Sequence, residues 1–210
     1  MSEVFASLEA SGIVPVIVLA DGADAARLGE ALARGGLPSA EVTLRTPSAL
    51  DAIRALAKLP GFLVGAGTVV EPAQVELAVE AGARYVVSPG FSKRVSRECS
   101  VLGVPLIPGV VTATEIQMAV EAGHSVVKFF PAAAAGGAAM VRALAAPFPH
   151  VRFIPTGGVD ASSLPEYLRL SSVLAVGGTW LAPRELVAAG EFDEVTRRTV
   201  DALAAVREYR

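Results

Sequence analysis

The sequence predicts an α/β fold, a single (β/α)8 TIM barrel that occupies residues 1–210 and includes a short N-terminal helix. Short runs rich in β-branched and aromatic residues recur about every 20 to 26 positions, and segments with helical spacing of small apolar residues separate them. Strands that alternate with helices form parallel sheets with right-handed crossovers, and eight such units suit a barrel. The predicted strands begin near Ile13, Ala40, Phe62, Arg84, Val104, Val126, Val151 and Val173.

The composition agrees with a folded protein that has a large apolar core. Of the 210 residues, 52% are hydrophobic and 19% are charged, and the formal net charge is -3. A membrane helix needs roughly 18 consecutive apolar residues, and the longest uncharged stretch, 99–114, contains two glycines and two prolines. Without a dense Lys/Arg cluster, we expect neither a membrane nor a nucleic-acid partner. The single cysteine, Cys99, and a start unlike a signal peptide favour a cytoplasmic protein.

Helix boundaries carry clear local signals. Pro72 suits the first position of a helix, and Thr112 with Glu115 forms a capping box. Gly82 and Gly123 stand where helices are expected to end. Both glycines close the same five-residue sequence, Ala-Val-Glu-Ala-Gly, and a strand-like run follows each copy. This repeat supports a helix-to-strand module that the chain uses more than once.

A doubly wound nucleotide-binding sheet is the alternative fold. The sequence Gly65-Ala66-Gly67 could begin a GxGxxG dinucleotide fingerprint, but Val70 stands where the third glycine is required. The barrel is therefore the preferred prediction.

The second predicted strand brings two charges toward the barrel interior. Alternation along residues 40–45 places Glu41, Thr43 and Arg45 on one face, and Val42 and Leu44 on the helix-facing side. A buried charge needs a partner or a ligand. Glu41 and Arg45 are therefore candidate site residues, unless they only pair with each other inside the barrel.

The sixth predicted strand contains a lysine among large apolar residues, in the sequence Val126-Val127-Lys128-Phe129-Phe130. Removal of an ammonium from water favours its neutral amine, which can attack a carbonyl. The chain has two other lysines, Lys58 and Lys93, and both are expected in solvent. Lys128 is thus the candidate Schiff-base nucleophile. The alternative is a purely structural ion pair between Lys128 and an acid such as Glu41.

Glycine-rich turns follow the last two predicted strands. Glycine lets backbone N–H groups approach an anion closely, and the loops after strands 7 and 8 form the usual phosphate site of a barrel. The alternative is a pair of tight turns without a ligand. The residues expected to bind a phosphorylated substrate are Thr156, Gly157, Gly158, Gly177, Gly178 and Thr179.

Other reactive residue types give weaker signals. His124 and His150 are expected at the surface, and Cys99 is expected to pack inside a helix without a base partner. No spacing typical of metal ligands is present, so no metal is predicted.

Six short motifs follow one another along the chain. They are Glu41-Val42-Thr43-Leu44-Arg45-Thr46, Gly65-Ala66-Gly67-Thr68-Val69, Ser88-Pro89-Gly90, Pro105-Leu106-Ile107-Pro108-Gly109, Lys128-Phe129-Phe130-Pro131 and Pro155-Thr156-Gly157-Gly158. In this order and spacing they resemble one enzyme family, the 2-keto-3-deoxy-6-phosphogluconate (KDPG) and 4-hydroxy-2-oxoglutarate (KHG) aldolases. The resemblance extends from Ile13 to Trp180.

The resemblance implies a class I aldolase of the Entner–Doudoroff pathway, a homotrimer of barrels that needs no metal and no cofactor. Its substrate would be a phosphorylated keto acid, KDPG, and its products pyruvate and glyceraldehyde 3-phosphate. By position, Lys128 is similar to the family's Schiff-base lysine and Glu41 to its general acid/base. The resemblance assigns the pyruvyl carboxylate to Arg45 and Thr68, the walls of that pocket to Pro89 and Phe130, and the phosphate to Gly157, Gly158 and Thr179.

The chain departs from the family pattern at two places. Thr179 stands where serine is common, and the run Ala132–Ala135 lacks the acidic residue that often follows this turn. Two other functions remain open from the sequence. One is aldol cleavage of the galactonate epimer of the substrate, and the other is a phosphosugar isomerase or binding barrel that forms no Schiff base.

Overall fold

The structure, a computed structural model, describes residues 3–210. It is an α/β fold of parallel strands and surrounding helices, as the sequence predicts. The strands are Ile13–Ile17 (β1), Ser39–Thr43 (β2), Leu63–Gly67 (β3), Tyr85–Val87 (β4), Leu106–Ile107 (β5), Gly109–Val110 (β6), Val126–Phe129 (β7), Arg152–Pro155 (β8) and Val176–Gly178 (β9).

The helices lie at the N-terminus and between the strands, with a long one at the C-terminus. A single 3-10 turn, Gly22–Asp24, precedes the second helix. The helices are Glu3–Ser11 (α1), Ala25–Arg34 (α2), Ala49–Ala57 (α3), Pro72–Glu80 (α4), Lys93–Val101 (α5), Ala113–Glu121 (α6), Gly137–Ala145 (α7), Leu164–Leu168 (α8), Arg184–Ala188 (α9) and Phe192–Tyr209 (α10).

All strand pairs in the two sheets are parallel. One sheet has the order β5-β4-β3-β2-β1-β9, and the other has the order β6-β7-β8. Pro108, which has no backbone N–H, separates β5 from β6 within the fifth predicted strand. Isolated parallel bridges, Phe153 with Val173 and Thr156 with Gly177, connect β8 to the segment around β9. The eighth predicted strand begins at Val176 rather than Val173, which forms only one of these bridges.

The predicted helix signals are confirmed. Pro72 is the first residue of α4, and Thr112 and Glu115 form a capping box at the start of α6. Gly82 and Gly123 follow the ends of α4 and α6 with φ of 101° and 89°. Residues with a Cβ rarely adopt this left-handed conformation, so glycine allows each chain reversal into the next strand.

The interior of the curled sheet is a separate apolar cluster. Side chains from several strands meet there, among them Val14, Tyr85, Ile154 and Leu174. Val4 and Leu8 of the predicted N-terminal helix, α1, pack into the same cluster. Helix α1 therefore covers the amino ends of the strands, and the opposite end is left for a site. No helix within residues 3–210 is long and apolar enough to cross a membrane.

Candidate active site

A cavity of about 310 Å³ lies at the carboxyl ends of the strands. In (β/α)8 barrels the active site lies at this end of the strands. A depression of about 520 Å³ beside α9 is larger, but none of its charged side chains is buried. The smaller cavity is lined by Val16, Thr43, Arg45, Thr68, Pro89, Lys128, Phe130, Thr156, Gly157, Gly158, Val159, Gly178 and Thr179.

Lys128 and Glu41 form a buried ion pair at this end of the sheet. Lys128 Nζ donates a hydrogen bond to Glu41 Oε1 at 2.9 Å. Lys128, on β7, is 6% exposed, and Glu41, on β2, is 3% exposed. Lys128 lines the cavity, whereas Glu41 lies behind it. The two side chains meet although 87 residues separate them in the chain. The alternative pair predicted from the sequence, Glu41 with Arg45, does not form.

A glycine on the neighbouring strand makes room for Glu41. A Cβ at Gly67, the last residue of β3, would lie 2.2 Å from Glu41 Oε1 and 2.7 Å from its Cγ. The carboxylate therefore packs directly against the β3 backbone. Any side chain at residue 67 would push Glu41 out of its contact with Lys128.

Thr68 follows that glycine with a strained backbone. Its φ is 59°, and among residues 3–210 it is the one non-glycine residue in the left-handed region. This conformation is a marked outlier for a β-branched residue, and such strain is typical of functional sites. Thr68 is half-buried and lines the cavity.

Arg45 differs from its predicted position. Strand β2 ends at Thr43, so Arg45 lies in the following turn and is exposed rather than inside the barrel. It still lines the cavity. An exposed position avoids the desolvation of an unpaired guanidinium, and leaves it free to receive an anion.

The residues expected to form the pyruvyl pocket also lie at the cavity. Phe130 follows β7, and its ring centroid is 5.4 Å from Lys128 Nζ. Pro89 packs on the backbone of Gly109, where a Cβ would lie 2.2 Å from the Pro89 carbonyl carbon. These side chains form an apolar wall beside the amine.

The glycine turn after β8 is held by the loop that follows β7. The N–H groups of Ala132 and Ala133 donate to the carbonyls of Thr156 and Gly157 at 2.8 and 2.9 Å. In a trans peptide the N–H points opposite to the carbonyl, so the N–H groups of Gly157 and Gly158 point away from that loop. Both glycines line the cavity.

The second glycine pair differs in part from the prediction. Gly177 and Gly178 belong to β9 itself and not to a turn. Gly178 and Thr179 line the cavity, but Gly177 does not. A Cβ at Gly177 would lie 2.2 Å from Thr156 Oγ1, so this glycine makes room for Thr156. The helices beyond both pairs, α8 and α9, have only five residues each.

The charge of the cavity suits an anionic ligand. Arg45 and Lys128 are its charged lining residues, and the lining includes no Asp or Glu. Positive groups in a concave site attract anions and raise their local concentration. Within residues 3–210 no group of three His, Cys, Asp or Glu side chains is placed to hold a metal ion.

Three lining residues were absent from the predicted site: Val16, Thr43 and Val159. Thr43 had a detectable signal, since alternation places it on the same face as Glu41. Its hydroxyl donates to the carbonyl of Ile17 at 3.1 Å, which ties the end of β2 to β1. Apolar residues such as Val16 and Val159 carry no comparable signal in a sequence.

Comparisons with known proteins identify one family. A sequence model of the family described as KDPG and KHG aldolase matches residues 4–198. The 2-dehydro-3-deoxy-phosphogluconate aldolase of Treponema pallidum is 47% identical over 207 residues, which cover 98% of this chain and 99% of that relative. The KHG/KDPG aldolase of Escherichia coli K12 is 42% identical, over 93% of this chain and 92% of the relative.

A solved structure matches equally well. The KDPG aldolase of Legionella pneumophila, crystallised with pyruvate captured at low pH as a covalent carbinolamine intermediate, superposes with a TM-score of 0.91. It is 41% identical, and the match covers 95% of this chain and 97% of that chain. By family match, identity and fold, this chain belongs to the KDPG and KHG aldolases, a family of lyases.

Proposed function

We propose that the protein is a class I aldolase that cleaves KDPG to pyruvate and glyceraldehyde 3-phosphate, and also cleaves KHG to pyruvate and glyoxylate. The observation that carries this proposal is the buried pair of Lys128 and Glu41, 2.9 Å apart, in which the lysine lines the cavity and the carboxylate lies behind it. An amine with an adjacent carboxylate is the arrangement that Schiff-base chemistry requires.

The first step is activation of the lysine. Glu41 accepts a proton from the Lys128 ammonium, and the neutral amine adds to the C2 ketone of the substrate. The nitrogen passes a proton to the new alkoxide, which gives a carbinolamine. Glu41 then returns its proton to the carbinolamine hydroxyl, water leaves, and a protonated imine joins Lys128 to the substrate.

Cleavage uses the same carboxylate again. Glu41 accepts the C4 hydroxyl proton, the C3–C4 bond breaks, and its electron pair moves toward the iminium nitrogen to form an enamine. The aldehyde leaves, and Glu41 delivers its proton to C3. Hydrolysis of the resulting imine releases pyruvate and regenerates Lys128. One carboxylate therefore serves as both base and acid, and it needs a position within reach of nitrogen, C4 oxygen and C3.

The remaining site residues bind and orient the substrate. Arg45 and Thr68 hold the pyruvyl carboxylate, and a guanidinium can do so with two parallel hydrogen bonds. Pro89 and Phe130 line the pocket beside the ketone. Held in this way, the ketone carbon faces the amine, which lowers the entropic barrier to attack. The phosphate is bound by Thr156, Gly157 and Gly158 after β8, and by Gly178 and Thr179 at the end of β9. Gly177 leaves space for Thr156.

The finer architecture is part of the same proposal. We infer one domain, a closed barrel of eight strand positions, in which β5 and β6 form one position and β8 meets β9. The bridge from Thr156 to Gly177 supports closure. We infer a homotrimer from the family resemblance, and analytical ultracentrifugation would measure this oligomeric state. We infer a cytoplasmic location from the single cysteine.

Borohydride trapping tests the proposed function. The protein is incubated with pyruvate and sodium borohydride, and the reduced adduct is located by mass spectrometry. We expect an adduct on Lys128. No adduct, or an adduct on Lys58 or Lys93, would contradict the mechanism and favour an isomerase or a binding protein. Turnover of the gluconate and galactonate epimers, measured side by side, decides the preferred substrate.

A further inference from the structure

Two buried hydroxyl groups beside the catalytic pair have no hydrogen-bond partner. They are Ser39 Oγ and Tyr85 Oη, and both lack a partner among the residues that the structure describes. Ser39 is 6% exposed and Tyr85 is fully buried. Buried polar groups are nearly always hydrogen-bonded to protein or to an ordered water, so each exception needs an explanation.

Ser39 and Tyr85 share a face of the sheet with Glu41. Ser39 and Glu41 belong to β2 and are two residues apart, so their side chains point to the same face of the sheet. Strand registers place Glu41 beside Gly65 and Gly65 beside Tyr85. Glu41 and Tyr85 therefore occupy equivalent positions on β2 and β4, with a glycine of β3 between them.

That glycine lets the Tyr85 ring extend toward Glu41. A Cβ at Gly65 would lie 2.3 Å from both Cε2 and Cζ of Tyr85. The far end of the ring thus lies across β3, and the hydroxyl, one bond further from β4, is on the side of β2. The other side chains packed around Tyr85, such as Val14 and Leu174, are apolar and offer no hydrogen bond.

Tyr85 is suited to act as a donor. Burial, and secondly the negative charge of Glu41, raise the pKa of Tyr85 well above its ordinary value of 10. The phenol therefore keeps its proton at any pH at which the enzyme works, and it can donate that proton in a hydrogen bond.

We propose that Ser39 and Tyr85 are positioning residues for Glu41 and that they hold a single buried water molecule that donates a hydrogen bond to its carboxylate. The water accepts from Tyr85 and donates to Ser39 and Glu41, and three hydrogen bonds are typical of a buried water. This inference rests on the proposed function, since it concerns the same carboxylate.

The proposed reaction explains why Glu41 needs a hydrogen bond from this water. Lys128 binds Glu41 as an ammonium with three N–H donors, but the imine nitrogen keeps only one. A buried carboxylate that loses donors takes up a proton more readily, and a protonated Glu41 cannot accept the C4 hydroxyl proton. The hydrogen bond from the bridging water keeps Glu41 ionised and oriented toward the substrate while Lys128 is part of the imine.

Deuterium exchange into pyruvate isolates this role. In D2O the Lys128 imine of pyruvate loses a C3 proton to Glu41 and regains a deuteron, and NMR follows the loss of methyl protons. The variants are Tyr85→Phe and Ser39→Ala, with Tyr167→Phe as the matched control, because Tyr167 is also buried but lies on α8. Borohydride trapping of the pyruvate imine measures the Lys128 step in each variant.

We expect exchange to slow about tenfold in Tyr85→Phe and in Ser39→Ala, the size of one lost hydrogen bond to a charged group. The amount of trapped imine stays equal to that of the unmodified protein, and Tyr167→Phe keeps full exchange. Because both hydroxyls hold one water, the double variant is no slower than the slower single variant.

The pH dependence separates positioning from a packing defect. The charged and titratable groups around Glu41 are Lys128 on β7, Tyr85 on β4 and, at the rim of the cavity, Arg45. Tyr85→Phe leaves the charges of Lys128 and Arg45 in place and removes only the phenol hydroxyl that donates to the water. The acidic limb of the exchange rate should therefore move to higher pH in Tyr85→Phe, whereas a packing defect would lower the rate equally at every pH.

The outcomes distinguish the two proposals. Normal trapping with unchanged exchange in both variants overturns the role of Ser39 and Tyr85. Exchange and trapping that fall together, or a rate that falls equally at every pH, also overturn it, since the effect would then be structural. No trapping by the unmodified protein overturns the proposed function instead. A high-resolution crystal structure without a water between the three side chains contradicts the bridging water, and Ser39→Ala tests the role if Tyr85→Phe fails to fold.

Discussion

Replacement of Lys128 by methionine should remove activity and destabilise the folded protein. Methionine suits an apolar strand in size and hydrophobicity. However, the substitution leaves Glu41, which is 3% exposed, without the one hydrogen-bond partner recorded for its carboxylate within residues 3–210. Removal of one member of a buried ion pair typically destabilises a protein by about 3–5 kcal/mol. That is a large part of an ordinary folding free energy of about 5–15 kcal/mol.

The size of the effect follows from the unpaired charge. A buried carboxylate without a cation loses the hydration that it has in the unfolded chain and gains no interaction in return. An amide at residue 41 has the same shape and carries no charge, so most of the loss of about 3–5 kcal/mol should be recovered when Glu41 is also replaced by glutamine.

Urea unfolding at pH 7 measures this difference. The matched control is the double variant Lys128→Met with Glu41→Gln, in which this buried carboxylate is absent. We expect it to recover most of the lost stability, while both variants form no borohydride adduct with pyruvate. A single variant as stable as the unmodified protein would refute the buried pairing of Lys128 and Glu41.

Three further predictions follow from the geometry. Gly67→Ala places a methyl group 2.2 Å from Glu41 Oε1, and because a shift of about 1 Å in such a site can reduce the rate about 100-fold, we expect a loss of that size in pyruvate-forming turnover. Burial raises the pKa of Cys99 to about 12, so an aromatic disulfide reagent should label no thiol in the native protein and one per chain in urea. Hydrogen bonds, first from Arg197, lower the pKa of Glu194 to about 2. The ionised Glu194 therefore stabilises the folded state fully above about pH 4.3, and this contribution is lost as pH falls toward 2. We expect the stability of Glu194→Gln to depend less on pH in this acidic range.

Each of these has a control and a contrary result. Gly22→Ala, where a Cβ would make only ordinary contacts at 3.4 Å or more, should keep full turnover; equal loss in both glycine variants would argue against displacement of Glu41. Rapid labelling of the native thiol would contradict the burial of Cys99. An acid unfolding profile that Glu194→Gln leaves unchanged would show that the ion pairs of Glu194 with Arg197 and Arg198 do not affect stability.

Much of the fold is predictable from local patterns. Strand and helix periodicity, the proline at Pro72 and the capping box at Thr112 depend on neighbours within a few residues, so they can be read directly. The same holds for Lys128, which stands out as a cation in an apolar strand. Arg45 was misplaced because the end of β2 at Thr43 depends on pairing with β1 and β3, which the residues 40–45 do not reveal.

The sequence by itself determined the α/β class, the order of the strands along the chain and the candidate nucleophile, because alternation and composition encode which faces are buried. Only the tertiary structure decided that Lys128 meets Glu41, a contact between residues that are 87 positions apart. It alone revealed the left-handed backbone of Thr68 and the unpartnered hydroxyls of Ser39 and Tyr85. Such features arise from the register between distant strands, and a local pattern carries no information about that register.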